Sequence, residues 1–205
     1  MVRFHIQWWG IVSVKRSSRR TNLEFLKEDL YLVVEGEIDE MFISKIISFM
    51  PTKYNVRIRV ANGNGNIPIH VNILKKIYSY SKIVVLYDLD GTSNLDDINR
   101  YLKNKQVNLK KEDIYFVNPC VEHFFLIAKE YYYEKLRIKK EYQPYFQRHY
   151  GVSDYAGHLS QVEEMVENLT KKDVENFLDN LSRLSEDDKD LPSSNFLNFI
   201  NYIKR

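Results

Sequence analysis

Three observations predict an α/β fold: a mainly parallel sheet of four strands, flanked by helices and followed by a helical C-terminal lobe. Short apolar runs rich in β-formers recur at residues 30–34, 56–60, 83–87 and 114–117. The stretches between them carry helical periodicity, and beyond Cys120 no further strand pattern occurs. Strands alternating with helices build parallel sheets through right-handed crossovers.

The first run, L-Y-L-V-V, is broken by Glu35-Gly36. Ile38, Met41, Phe42, Ile46 and Phe49 then share one helical face, and Pro51 closes that helix. V-R-I-R-V alternates strictly, which predicts a strand near the sheet edge. A glycine and asparagine loop, A-N-G-N-G-N-I-P, leads to a helix over about 69–80. The run at 83–87 is continuously apolar, as expected of a strand buried on both faces. A helix over 95–105 follows, with Asn94 as its cap. The fourth strand ends at Asn118-Pro119; helices are expected over 121–140, 159–184 and 194–205. The expected organisation is a basic segment at 1–29, the sheet-bearing core at 30–123 and the helical lobe at 124–205.

The chain of 205 residues is 44% apolar and 28% charged with net charge +2, enough for one core and ordinary for a soluble protein. A single cysteine, Cys120, excludes a disulfide framework and a cysteine-based zinc site, and fits a reducing cytoplasm. The histidines (His5, His70, His123, His149, His158) lack metal-ligand spacing. No apolar run approaches a membrane span, and the interrupted apolar leader is expected to be part of the fold and not a signal peptide.

The chemistry-bearing stretch is I-V-V-L-Y-D-L-D-G-T, residues 83–92. Carboxylates at i and i+2 at the mouth of a buried strand serve two chemistries: the nucleophile and acid of a haloacid-dehalogenase-type phosphatase, or a metal-binding pair. In a parallel sheet functional groups collect at the carboxyl ends of strands. Glu35 ends the first strand, Asp88 and Asp90 the third, and Glu122 lies just past the fourth, so these four carboxylates are expected to face one crevice. Like charges that close raise one another's pKa, and a divalent cation relieves this; all-oxygen ligands select Mg²⁺ or Mn²⁺ over zinc. The bland alternative makes Glu35 a charge favoured by a helix N-terminus and the aspartates turn formers. The phosphatase needs a downstream ammonium and an acidic pair after another buried strand. The downstream acidic run E-D-D-K-D, 186–190, follows a polar helix instead.

The order V-V-E-G-E-I-D-E, glycine-rich turn, V-V-L-Y-D-L-D resembles the Toprim domain of topoisomerases, primases and nucleases. Its form Glu35-Gly36-Glu37-Ile38-Asp39 is closer to the nuclease branch, which includes the overcoming-lysogenisation-defect and ribosomal RNA maturase enzymes. N-P-C-V-E-H-F-F-L (118–126), a basic leader and a final P-S-S-N-F-L-N-F-I are similar to the RloB family of bacterial defence-associated proteins. That family tends toward E-G-x-x-T-E, where this chain has Asp39-Glu40. This departure brings the chain closer to Toprim effectors that act beside an ATPase.

The resemblance implies a Rossmann-like Toprim fold and a metal-dependent nuclease with Glu35, Asp88 and Asp90 catalytic. Asp39 and Glu122 would join them as ligands of Mg²⁺ or Mn²⁺. It also implies a nucleic-acid substrate (DNA or RNA, including tRNA), an ATPase partner encoded nearby, and a role in antiviral defence. A non-catalytic binding module and a homo-oligomer both stay open.

Nucleic-acid contacts are expected from the basic leader Lys15, Arg16, Arg19 and Arg20, and from the loop Asn62, Gly63, Asn64 and Gly65. A solvated arm and a plain turn are the respective alternatives. The Y-Y-Y-E-K-L-R-I-K-K segment, 131–140, offers base-stacking aromatics or lobe packing, and His123 a proton shuttle or a packed ring. The acidic stretch 163–190 is expected to face solvent or a basic partner protein.

Overall fold

The computed structural model describes residues 27–89, 94–136, 138–186 and 191–205. Asp90, the basic leader Lys15, Arg16, Arg19 and Arg20, and most of the acidic run 186–190 lie outside the described residues.

The core alternates as expected: β1 Asp29–Val34, α1 Glu37–Ser48, β2 Asn55–Val60, α2 Ile67–Ile77, β3 Lys82–Asp88, α3 Leu95–Asn104 and β4 Ile114–Asn118. The sheet order is β2-β1-β3-β4-β5, and the first three pairings are parallel. β2 is the edge strand that its alternating sequence predicts. From β1 the chain moves outward to β2, then returns to the other side of β1 with β3. The order therefore reverses between β1 and β3, and the crevice beyond their carboxyl ends is where α/β sheets place ligands.

Strand alternation sorts the apolar residues into two cores. Leu30, Leu32, Val34, Val84, Leu86, Tyr115 and Val117 face α1 and the helices of the C-terminal half. Tyr31, Val33, Ile83, Val85, Tyr87, Ile114 and Phe116 face α2 and α3. The first core is one continuous cluster running from β1 to the last helix, so the C-terminal helices are packed directly on the sheet. Phe124 sits in it against Phe42, Phe177 and Phe196.

Asn94 caps α3 as its sequence suggests, its side chain accepting from Asp97 N at 3.0 Å. Asn94→Ala should therefore cost about 1 kcal/mol in chemical denaturation.

The C-terminal half departs from the expected elements in three ways. Where one helix over 121–140 was expected, α4 covers only Glu122–Lys129 and α5 begins anew at Lys139–Tyr150. The tyrosine-rich segment between them is not helical. Tyr132 is buried and bonded to Tyr145 and Glu134, while Tyr131 and Tyr133 are exposed.

The expected helix 159–184 is two helices, α6 Leu159–Glu167 and α7 Lys171–Leu181. The break is the capping box Thr170-x-x-Asp173, which satisfies the free N–H groups at the start of α7.

The sheet also has five strands, not four. Ser193–Ser194 forms β5, antiparallel to β4, and α8 starts later, at Phe196–Ile203. β4 is buried along its length, so its outer edge needs partners. Asn195 supplies them, accepting from Phe116 N at 2.8 Å and donating to Ile114 O at 3.0 Å, while Ser194 Oγ donates to Phe116 O at 2.6 Å. Among the described residues no helix is long and apolar enough to cross a membrane.

Candidate metal centre

A cleft of about 300 Å³ opens at the carboxyl ends of the central strands, lined by Glu35, Asp39, Asp88 and Glu122 among others. Four of the five acidic residues expected to work together thus share one wall-to-wall space. The fifth, Asp90, lies outside the described residues, one position past Leu89.

Each arrives by a different route. Glu35 follows the last residue of β1, and Asp88 ends β3. Asp39 is the third residue of α1; its Oδ2 accepts from Gly36 N at 2.8 Å, fixing the side chain over the helix start. Glu122 is the first residue of α4, held beside β3 because Val121 N donates to Asp88 Oδ2 at 3.2 Å.

The electrostatics are adverse for a cleft filled only with carboxylates. Asp39 is 3% exposed. Burial pushes its pKa up, the Gly36 N–H pulls it down, and the neighbouring Glu35 and Glu122 push it up again, to about 7. Burial, then the charges of Asp39 and Glu122, hold the Asp88 carboxyl well above the ordinary range against the Val121 N–H. One oxygen of each, Asp39 Oδ1 and Asp88 Oδ1, is buried without a hydrogen-bond partner. Oxygens of this kind suit a hard divalent cation. Among the described residues no three Asp, Glu, His or Cys side chains are grouped to hold one ion as they stand.

The glycine and asparagine loop does not line this cleft. It ties the two strand ends beneath it: Gly63 N donates to Glu35 O at 3.0 Å and Asn64 Nδ2 to Asp88 O at 3.2 Å. Asn62 and Gly63 take positive φ, 56° and 115°, and a side chain at position 63 would be strained. Asn62 and Gly65 are exposed.

His123 is fully buried against Tyr132, and burial pushes its imidazole down to about 4, so it stays neutral and apart from the cleft. It is a packed ring, not a shuttle.

Sequence patterns gave no hint of the side chains that contact Glu122. Tyr155 OH donates to Glu122 Oε1 at 3.1 Å, and Lys139 Nζ stands 3.8 Å from the same oxygen. Cys120 and Tyr142 complete that wall, 3.5 Å apart. Tyr155 is 33 residues from Glu122 in a loop without periodicity, so only the fold brings them together.

Against known proteins, the chain matches no family, no curated sequence and no solved structure.

Proposed function

We propose that this chain is a Mg²⁺- or Mn²⁺-dependent nuclease of the Toprim type, cleaving nucleic-acid phosphodiesters as an effector in bacterial anti-phage defence gated by an ATPase partner. The observation that carries the metal site is the pair of buried, unpartnered oxygens, Asp39 Oδ1 and Asp88 Oδ1, in one cleft with Glu35 and Glu122. Leaving such groups uncompensated is costly, and a cation offsets the cost. The nuclease and defence parts come from the resemblance of the E-G-x-x-D and D-x-D segments in their order along the chain.

Asp88, Asp39 and Glu122 would hold the ion, and Asp90 belongs to the cluster by its place in the sequence. Glu35, partly exposed at the end of β1, would orient the attacking water or take a second ion. A bound divalent ion supplies charge neutralisation at the phosphodiester and a lower pKa for water. The strand ends, tied by the 62–65 loop, keep Glu35 and Asp88 in fixed relation.

Incubation of the chain with plasmid, single-stranded DNA and tRNA tests this reading. Cleavage of at least one of them with Mg²⁺ or Mn²⁺, by the chain alone or once an ATPase partner is added, and abolished by EDTA, is the expected result. A second reading is a binding module that is idle by itself. No cleavage by the chain under any metal, with or without an added ATPase partner, would support it.

A further inference from the structure

From the two contacts on a single carboxylate oxygen we infer that Tyr155 sets the cation selectivity of the cleft, holding Glu122 as a one-oxygen ligand that favours Mg²⁺ and Mn²⁺ over Ca²⁺. The inference rests on the metal-site reading above. Glu122 is 5% exposed, and the Tyr155 hydroxyl at 3.1 Å and the Lys139 ammonium at 3.8 Å both approach its Oε1. Glu122 lines the cleft, with the Cys120 thiol as a further neighbour of its carboxylate.

The donors are firmly placed. Tyr155 is 1% exposed, with its ring edge-on to Phe146 at 4.6 Å, which holds its hydroxyl against Glu122. The Lys139 side chain runs so close over Gly157 that a Cβ there would lie 2.1 Å from Nζ. Gly157 also has φ +78, so position 157 gives Lys139 its path and the 155–157 turn its shape.

A carboxylate with one oxygen already engaged offers the other to a small ion in near-octahedral geometry, which is the demand of Mg²⁺. Ca²⁺ accepts more ligands and commonly takes a carboxylate through both oxygens. Partners behind a ligand typically change metal affinity 10–100-fold. Tyr155 is a positioning residue: it acts through Glu122 and does not touch the ion.

Calorimetric titrations of wild type and Tyr155→Phe with Mn²⁺ and with Ca²⁺ test the inference. Mn²⁺ electron paramagnetic resonance and the metal-free Tm would accompany them. The phenylalanine keeps the buried ring, and Lys139→Met removes the other contact from a half-exposed position. The expected result is about tenfold weaker Mn²⁺ binding in Tyr155→Phe with Ca²⁺ binding unchanged or tighter, whereas Lys139→Met, which only takes a positive charge from the cleft edge, should tighten both ions alike. Equal loss for both ions, or no loss, overturns the clamp while leaving the metal site standing. Wild type that binds neither ion overturns both.

Discussion

Glu35→Gln and Asp88→Asn are each expected to remove nearly all phosphodiester cleavage, on the order of 10³-fold in rate, and the double variant is expected to lose little more. The two side chains stand at the ends of adjacent strands across the point where strand order reverses, and they line one cleft with Asp39 and Glu122. Groups that act as one unit on a reacting centre are non-additive. Transition-state charge stabilisation by a metal site amounts to several kcal/mol, at about 1.36 kcal/mol per decade of rate. Single-turnover cleavage of an end-labelled substrate measures it. A phosphatase built on D-L-D-G-T would behave otherwise: Asp88 would be the covalent nucleophile, Glu35→Gln would do little, and p-nitrophenyl phosphate would be hydrolysed. No such hydrolysis is expected, and Thr92→Ala should be nearly silent.

The second large effect is a reversal of pH dependence by metal. With no cation bound, Asp39 has a folded pKa of about 7, above the ordinary aspartate value, and Asp88 is raised in the same direction. The folded state then binds more protons than the unfolded chain between about pH 4 and 7. Stability from Asp39 is therefore fully present below about pH 4 and is lost as pH rises through 7, and Asp88 acts in the same direction. Glu35 and Glu122 face both aspartates and add to the repulsion, while Lys139 opposes it from the edge of the cleft.

Metal-free protein is thus expected to melt higher at pH 5.5 than at pH 7.5. Mn²⁺ should stabilise it more at pH 7.5 than at pH 5.5, because fewer protons then compete with the ion for Asp39. In metal-free protein at pH 7.5, Asp88→Asn should raise stability by about 1–3 kcal/mol, a few degrees in Tm at this chain length. The same substitution should abolish the Mn²⁺-induced shift. Differential scanning fluorimetry at the two pH values, with EDTA and with Mn²⁺, reads all of these. A metal-free Tm that rises from pH 5.5 to 7.5 would contradict the crowding of charge in the cleft.

The core of the fold was legible because its signals are local. Continuous apolar runs gave β1, β3 and β4, and strict alternation gave β2 as an edge. Since functional groups gather at strand ends, residue order alone placed Glu35, Asp88 and Glu122 together, and Asp39 followed one helical turn from Glu35.

The C-terminal half resisted for a physical reason. Its helices are short and all contribute to one aromatic-rich core, so apolar residues run on across helix ends. The ends are set instead by a capping box at Thr170 and Asp173 and by Asn195 reaching to the backbone of β4. P-S-S-N before an apolar run looks like a helix start, and two of its residues are a strand. Tyr155 and Lys139 had no local signal, because their relation to Glu122 exists only once α5 and the following loop pack against α4.

The most direct measurement is isothermal titration of the chain with Mn²⁺ at pH 7.5, for wild type, Asp39→Asn and Asp88→Asn. Asp39 Oδ1 and Asp88 Oδ1 are the buried oxygens without hydrogen-bond partners in the cleft, so they are its strongest demand for a cation. Saturable binding by wild type, lost in Asp88→Asn and weakened at least tenfold in Asp39→Asn, is the expected result. Equal Mn²⁺ binding by all three proteins would place the ion elsewhere and contradict the assignment of this cleft as a metal centre.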